Sequence, residues 1–265
     1  GYFKHNQTEK PLISVITVVF NGAEFLEQTI NSVIGQTYDN VEYIIIDGGS
    51  TDGTLDIIKK YDAQIDYWVS ERDEGIYGAM NKGISVASGQ WLNFMNAGDW
   101  FYSDDVITLI GDGHADSDFI YGNYESRYPT FNILSKASPL PWIWKGMAFT
   151  HQSLFVKRQR HMEYPFNNNI FEISADYDFI YYGYKNNNKF LYIDQCFSSI
   201  QIAGYSSNNV ISLIKENYKI AKNYNKPYYL HIYYLYKFIS AIPKEFIKNN
   251  LSIKYVDLIR KLLKS

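Results

Sequence analysis

The sequence predicts an α/β protein in which a parallel sheet is flanked by helices. Short apolar runs rich in Val and Ile recur through the first hundred residues, as expected for strands buried on both faces. Segments with apolar residues at helical spacing separate these runs. Acidic or amide side chains follow several runs, at the sheet edge where open α/β folds bind ligands.

The predicted elements alternate strictly up to residue 95. They are, in order, strands at 12–19, 41–47, 65–69 and 91–95, with helices at 23–37, 51–60 and 75–87 between them. The spacing of Leu26, Ile30 and Val33 marks the first helix, and the turn Gly48-Gly49-Ser50 ends the second strand. This alternation is typical of strands joined by helical crossovers.

The second half is less regular. Strands are predicted at 118–124 and 189–194, a helix at 175–185, loops at 167–169 and 186–188, and a crossing segment marked by Pro139 and Pro141. From about Val210 the chain becomes helical and basic. No internal repeat is visible.

A single cysteine, Cys196, excludes an internal disulfide and a cysteine zinc cluster, and it indicates a reducing compartment. The polar start, GYFKHNQTEKP, has no signal-peptide core. No apolar run reaches the roughly 18 to 20 residues that span a bilayer. These features predict a cytoplasmic protein.

The net charge of −3 hides a strong asymmetry. Residues 206–265 carry 11 Lys and Arg against 3 Asp and Glu, a charge of +8, and include the tract YYLHIYYLYKF. Two interpretations stay open: contact with an anionic membrane surface, or packing of the tyrosines on the main domain or a second subunit. The basic residues are spread over predicted helices without a recognition motif, which argues against nucleic acid.

Two polar segments follow the second and third predicted strands. Asp47 closes the second strand, where a carboxylate can accept hydrogen bonds from a base or ribose. Asp52 serves equally well as a helix cap. In residues 70–84 we expect Asp73, Gly75 and Asn81 to line a polar pocket, and Ile76 and Met80 to face the core.

Further carboxylates suit a metal and a general base. Asp99 follows the fourth strand, and carboxylate oxygens are the ligands of a hard cation that bridges phosphates. Asp176 begins a predicted helix, where a carboxylate can act as a base toward a hydroxyl group. For Asp178 the favoured interpretation is stabilisation of the helix N-terminus. His151 is a candidate metal ligand or phosphate contact. The favoured interpretation is that it is a structural histidine whose hydrogen bonds are satisfied within the protein.

Five segments in this order resemble bacterial family 2 glycosyltransferases of the GT-A fold. They are SVITVVFNG, IIIDGGSTDGT, SERDEGIYGAMNKGI, NFMNAGDW and ADYDF. The resemblance covers residues 11–206 and implies a nucleotide-diphospho-sugar transferase domain with a mixed, Rossmann-like sheet. Residues 207–265 would then be a basic, Tyr-rich helical extension.

The resemblance also implies roles for individual residues. Asp99 would bind Mn²⁺ or Mg²⁺, with His151 as a further candidate, and Asp176 would be the catalytic base. Donor contacts would come from Phe20, Asn21, Asp47, Arg72, Asp73, Gly75, Asn81 and Asn96.

The sequence departs from the family pattern at four points. The segment Asn96-Ala97-Gly98-Asp99 has one acidic residue where two or three are common, and Ala175 replaces the Glu of a Glu-Asp pair. Gly48 and Gly78 stand where relatives often carry Asp, a difference that bears on donor choice. The segment 204–206 resembles a loop that closes over the donor.

The predicted function is inverting transfer of a sugar, from a UDP-sugar by preference, to a glycan hydroxyl in surface-polysaccharide synthesis. The acceptor would be linked to a lipid such as polyprenyl diphosphate, and the enzyme would sit in the cytoplasm on the inner face of the membrane. The alternatives are a nucleotidyltransferase, which would need a basic, Gly-rich phosphate loop where VVFNGAEF stands, and a non-catalytic nucleotide-sugar or glycan-binding module. The retention of Asp99 and Asp176 argues against the latter.

Overall fold

The computed structural model describes residues 10–111, 113–202, 209–224 and 228–250, with side chains described up to residue 243. The segment 204–206, for which the sequence suggests a closing loop, lies outside the described residues.

The chain alternates strands and helices in its first half, and its described part closes with two longer helices. The strands are β1 (Ile13–Val19), β2 (Val41–Asp47), β3 (Tyr67–Ser70), β4 (Trp91–Phe94), β5 (Trp100–Phe101), β6 (Phe119–Arg127), β7 (Asn132–Ser135), β8 (Leu154–Lys157) and β9 (Phe190–Gln201). The helices are α1 (Ala23–Ile34), α2 (Thr54–Lys60), α3 (Ile76–Val86), α4 (Thr108–Gly111), α5 (Arg158–Glu163), α6 (Ala175–Lys185), α7 (Val210–Tyr224) and α8 (Tyr228–Asn250). Turns of 3₁₀ helix cover Asp62–Gln64, Leu140–Lys145 and His151–Ser153.

The described strands form one mixed sheet in the order β3-β2-β1-β4-β8-β6-β9-β5, with β7 paired to β6. The first four strands are parallel, as the alternation in the sequence predicts. Strand β8 runs antiparallel to both of its neighbours, β4 and β6, and β6 runs parallel to β9. The mixed sheet implied by the family resemblance is therefore confirmed.

Strand β1 is buried on both faces because its residues alternate between two cores. Ile16 and Val18 belong to one core, while Ile13 and Val15 belong to the other. Helix α3 packs closely on the first of these faces, since a Cβ atom at Gly83 would lie 2.5 Å from Ile16 Cγ2. This close packing brings the N-terminus of α3 to the carboxyl edge of the sheet.

Several element boundaries differ from the sequence prediction. Helix α1 ends at Ile34, and α2 begins only at Thr54, because Gly53 adopts a left-handed conformation with φ of 98°. The prediction of a buried Ile76 is wrong: this side chain is 40% exposed, whereas Met80 is fully buried. Strands β5, β7 and β8 have two to four residues, too few for a periodic signal.

Helices α7 and α8 share a core with the sheet domain. Ile214, Ile220, Leu230 and Tyr234 lie in the same buried cluster as α3 and α6. The tyrosines of the basic extension therefore pack partly on the main domain, as one of the two interpretations expects. No helix in the described ranges combines the length and the hydropathy needed to cross a bilayer.

Candidate functional site

A cavity of about 990 Å³ lies at the carboxyl ends of β1 and β4. The N-termini of α3 and α6, residues between 145 and 152 and the end of β9 also line it, and α7 and α8 contribute further residues. Of the site residues that the sequence predicts, it brings together Phe20, Asn21, Asp73, Gly75, Asn96, Asp99, His151 and Asp176. Residues far apart in the chain thus meet at the sheet edge where the fold class predicts ligand binding.

Asp176 is held at the start of α6 by the Tyr177 amide, by His151 and by the Tyr77 hydroxyl, whose single proton is shared with the Ile173 carbonyl 2.7 Å away. Tyr177 N donates to Oδ1 at 2.8 Å, and the Tyr77 hydroxyl lies 2.9 Å from the same oxygen. His151 Nδ1 lies 2.9 Å from Oδ2. An ionised carboxylate can accept about four hydrogen bonds, so Asp176, which lines the cavity, retains capacity for a proton donor bound there.

His151 links Asp176 to the segment that follows β4. Its Nε2 atom lies 3.0 Å from Asn96 Nδ2. Because the amide nitrogen only donates, Nε2 accepts and the ring proton sits on Nδ1, facing Asp176. Asn96 Oδ1 is buried and has no hydrogen-bond partner among the described residues. An acceptor oxygen is therefore available beside the cavity.

Asp99 is a buried carboxylate fixed from two sides. Gln152 Nε2 donates to Oδ2 at 2.6 Å, and Gln201 N donates to Oδ1 at 2.8 Å. Burial raises the pKa of Asp99, and these hydrogen bonds, together with the charge of the nearby Arg127, act in the opposite direction. The Arg127 guanidinium also donates to the Gly98 carbonyl, and burial lowers its pKa to about 10.

Asp47 organises a loop, although it does not line the cavity. It is fully buried, and Ser50 N and Ser70 Oγ donate to its oxygens at 3.0 and 2.5 Å. The Ser50 hydroxyl accepts from Asn21 N at 2.7 Å, and Asn21 Oδ1 accepts from Thr51 N at 2.9 Å. Asp47 is therefore connected to the cavity through Ser50 and Asn21, and its direct contact with a ligand stays a prediction.

Asp73 and Phe20 form one corner of the cavity. Asp73 Oδ1 accepts from Gly75 N at 2.9 Å, and the Phe20 ring is 65% exposed. A Cβ atom at Gly48 would lie 2.7 Å from Asp73 Oδ2 and 3.3 Å from Phe20 Cδ2. The missing side chain at Gly48 therefore leaves room for the observed position of Asp73.

Two further predicted donor contacts lie outside the cavity. Arg72 is exposed and is not part of the cavity wall. Asn81 is satisfied by the backbone of Phe166, to which its amide nitrogen donates at 2.8 Å and from which its oxygen accepts at 3.0 Å. Asn81 thus fixes the segment around Phe166, a role that its position in a polar motif does not reveal.

Asp52 and Asp178 have structural roles. Asp52 accepts from Thr54 N and Ala23 N at 3.1 and 3.0 Å, and so ties the start of α2 to the start of α1. Asp178 is buried, and the hydroxyls of Tyr164 and Tyr224 donate to it at 2.8 and 3.2 Å.

The cavity is also lined by polar residues beyond the predicted site residues. They include Tyr77, Glu74, Gln152, Gln201, Asn217, Lys145 and Lys237. Tyr77 lies in a recognised motif and Gln152 follows His151, so their neighbours offered a signal. Lys237 lies on α8, and only the tertiary fold brings it to the cavity.

The residues present fit a divalent cation that completes its coordination with phosphates and water. Within the described ranges, no three His, Cys, Asp or Glu side chains form a metal-binding group. A cation bound together with substrate phosphates needs only one or two carboxylates from the protein. Asp99 supplies a carboxylate, and Asn96 Oδ1, three residues earlier in the chain, is a buried oxygen without a hydrogen-bond partner in the described part of the chain.

The chain has an α/β fold of the GT-A type. The profile described as "Glycosyl transferase family 2" matches residues 14–178. A PGL/p-HBAD biosynthesis glycosyltransferase of Mycobacterium bovis (strain BCG / Pasteur 1173P2) is 32% identical over 176 residues, which are 64% of this chain and 68% of the relative. The chain therefore belongs to glycosyl transferase family 2 and is a glycosyltransferase.

Other similarities agree with this assignment. An uncharacterised glycosyltransferase of Mycobacterium tuberculosis (strain CDC 1551 / Oshkosh) is 43% identical over 101 residues, 38% of each chain. S. aureus TarS 1-349 in complex with UDP-GlcNAc has a TM-score of 0.62 at 16% identity, covering 86% of this chain and 71% of that one. The mannosyltransferase PcManGT from Pyrobaculum calidifontis, in complex with GDP-Man and Mn²⁺, has a TM-score of 0.67 at 15% identity. The match covers 97% of this chain and 81% of that one. These structures support the fold.

Proposed function

We propose that this enzyme transfers a sugar from a UDP-sugar to a hydroxyl of a glycan acceptor, with inversion at the anomeric carbon. One observation carries the proposal. A carboxylate suited to a general base, Asp176, shares a cavity with a carboxylate suited to a metal, Asp99, and His151 connects Asp176 to Asn96 near Asp99. Such a pair fits a single displacement in which acceptor and leaving group occupy opposite ends of one site.

In this reaction Asp176 takes the proton of the acceptor hydroxyl. The acceptor oxygen forms a bond to the anomeric carbon as the bond from that carbon to the diphosphate oxygen breaks, and the nucleoside diphosphate leaves. The hydrogen bonds from Tyr77 and His151 orient Asp176 toward the acceptor. No covalent intermediate is needed, because the base does not attack the sugar.

The leaving diphosphate needs compensation of its negative charge. Asp99, with Asn96 Oδ1 and His151 close by, would hold a divalent cation, Mn²⁺ or Mg²⁺, which supplies this charge when bound. Gln152 and the backbone of Gln201 keep Asp99 in position. Lys145 and Lys237 line the same cavity and add positive charge.

The nucleoside would bind at the corner formed by Phe20, Asn21, Asp73 and Gly75, where an exposed ring can stack on a base. Asp47 would support this corner through Ser50, and Arg72 would approach the nucleoside from outside the cavity wall. The family resemblance favours UDP. The complexes of two structural neighbours contain UDP-GlcNAc and GDP-Man, so the nucleotide is the first property to measure.

The acceptor we propose is a lipid-linked glycan of a bacterial surface polysaccharide, such as one carried on polyprenyl diphosphate. The name of one relative places it in PGL/p-HBAD biosynthesis, and residues 206–265 have a charge of +8. Transfer would then take place in the cytoplasm at the inner face of the cell membrane, with the domain 11–206 performing the chemistry and 207–265 contacting lipid.

A donor panel tests the proposed function. Purified protein is incubated with UDP-, GDP- and dTDP-sugars and Mn²⁺, and release of nucleotide is measured with and without EDTA, beside thermal-shift binding of each donor. We expect metal-dependent binding and slow hydrolysis of one UDP-sugar. Selective binding of a GDP- or dTDP-sugar would overturn the UDP assignment. Failure of every donor to bind would favour a module that binds glycan only.

A further inference from the structure

Helix α8 presents an apolar face to solvent in addition to the face that packs on the domain. Leu230, Tyr234 and Ala241 are buried against the core. The outward face, which we call the α8 stripe, consists of Tyr228, Tyr229, Ile232, Leu235, Tyr236, Ile239 and Ile242. These seven side chains are between 48% and 79% exposed.

The spacing of the α8 stripe makes it continuous. Positions 228, 232, 235, 239 and 242 follow one another at intervals of four and three residues, so they share one side of the helix, and Tyr229 and Tyr236 widen it. The stripe contains no charged residue. Single exposed hydrophobic residues are common on a solvated helix, whereas a continuous apolar face of this size is typical of an interaction surface.

The surroundings of the stripe are basic and aromatic. Lys215 and His231 border a groove of about 250 Å³ that also contains Leu235 of the stripe. Beside Tyr229 lies the turn Leu140–Lys145, whose Trp144 ring is 5.2 Å from the Tyr229 ring. The same turn carries the exposed Trp142, and Lys145 Nζ lies 4.3 Å from the centre of its ring.

These features favour an anionic lipid surface over a second copy of the chain. Two copies that met through the stripe would bring two segments of +8 charge together, which is electrostatically unfavourable. A bilayer with anionic lipids attracts Lys and accepts Tyr and Trp at its headgroup level and Ile and Leu below it. Residues 244–265 add six basic and two acidic residues to the sequence that follows the described stripe.

We propose that the α8 stripe, together with Trp142, docks the enzyme on an anionic bilayer, with α8 lying in the plane of the interface. This inference rests on the proposed membrane location and names the surface and the lipid partner. Helix α8 also contributes Lys237 to the large cavity. The element that binds lipid would therefore border the site that receives the acceptor.

Vesicle flotation tests the docking surface without any donor or acceptor. The 265-residue chain is mixed with phosphatidylcholine vesicles with or without phosphatidylglycerol. The stripe variant carries Ile232→Gln, Leu235→Gln and Ile239→Gln. The matched control carries Leu134→Gln, Met162→Gln and Ile170→Gln, at apolar side chains that belong to other parts of the chain and have a similar exposure of 51% to 61%.

We expect the wild type and the control to float with anionic vesicles, and the stripe variant to lose about tenfold or more in partitioning. Absence of flotation by the wild type, equal flotation of the stripe variant, or equal binding to neutral vesicles would overturn the proposal. A dimer that dissociates in the stripe variant, without lipid binding, would instead assign the stripe to a second copy. Donor hydrolysis is measured without lipid, so a failure of vesicle flotation would not affect the proposed sugar transfer. In the same way, a failure of donor hydrolysis would not affect the proposed membrane docking.

Discussion

Glu216 of α7 accepts a hydrogen bond from Ser174 N, two residues before Asp176, at 2.9 Å. Its two carboxylate oxygens also accept from the backbone nitrogens of Glu172 and Ile173, both at 3.0 Å. A single side chain thus binds three consecutive amides at the approach to α6. The extension after β9 is thereby connected directly to the position of the candidate base.

We expect Glu216→Gln to lower kcat by about tenfold while the affinity for the donor stays unchanged. The amide keeps one acceptor oxygen but turns its NH₂ group toward backbone N–H donors, so the approach to α6 loosens and Asp176 loses its alignment. The measurements are steady-state kinetics and donor titration. Asp56→Asn, at an exposed carboxylate on α2, is the control. Parallel losses of kcat, donor affinity and thermal stability would indicate general destabilisation instead of positioning.

Asp176→Asn should reduce transfer by roughly 100-fold or more and leave donor binding intact, since the amide cannot accept the acceptor's proton. Asp178→Asn is a matched control on the same helix. An amide at position 178 accepts hydrogen bonds from the Tyr164 and Tyr224 hydroxyls less strongly than the carboxylate does. We therefore expect a lower Tm, with turnover within a few-fold of wild type. Near-normal turnover of Asp176→Asn would rule this residue out as the base.

Gly48→Ala should weaken donor binding by about tenfold. The new methyl group would stand 2.7 Å from Asp73 Oδ2 and would displace the carboxylate from the proposed nucleoside corner. Isothermal titration with the donor measures the effect. Gly78→Ala, inside α3, is the comparison, because its Cβ would lie 3.1 Å from Glu74 Cβ and 3.5 Å from Asn168 Nδ2 and would not touch Asp73. If both variants bind donor equally well, space at Gly48 has no role in donor recognition.

His161 should make the protein less stable in acid. Burial lowers the pKa of His161 to about 3, and its ring stacks on Phe179 with centroids 3.9 Å apart. In the unfolded chain the pKa of a histidine is about 6.5. Between about pH 6.5 and pH 3 the His161 ring is therefore protonated in the unfolded state and neutral in the folded state, so the free energy of unfolding falls as the pH is lowered through this range. The contribution of His161 to the loss of unfolding free energy between pH 7 and pH 5 is about 2 kcal/mol.

Urea unfolding of the wild type and of His161→Leu at pH 7 and pH 5 measures the contribution of His161 to the pH dependence of stability. The leucine variant lacks the titrating group, so its unfolding free energy should change less over the same interval, whatever its stability at pH 7. An identical change in both proteins would show that His161 does not titrate on unfolding.

Much of the fold follows from the sequence because its signals are local. The Val- and Ile-rich runs, their alternation with helical spacing, and the carboxylates at the strand ends predict the parallel half of the sheet and the location of the cavity. The motifs whose order implies the family predict roles for Asp176 and Asp99, and both residues line the cavity. Short strands such as β8 escape detection because four residues cannot establish a period.

The tertiary structure alone decided which polar residues reach the cavity. Asp47 and Asn81 lie in motifs, as Asp73 does, but only Asp73 lines the cavity. Asp47 is hydrogen-bonded by Ser50 and Ser70, and Asn81 is hydrogen-bonded to the backbone of Phe166. Lys237 and Glu216 approach from helices far along the chain. Local sequence specifies strands, helices and residue chemistry through short-range periodicity, whereas the partners of a polar side chain depend on contacts between distant elements, and those exist only in the folded chain.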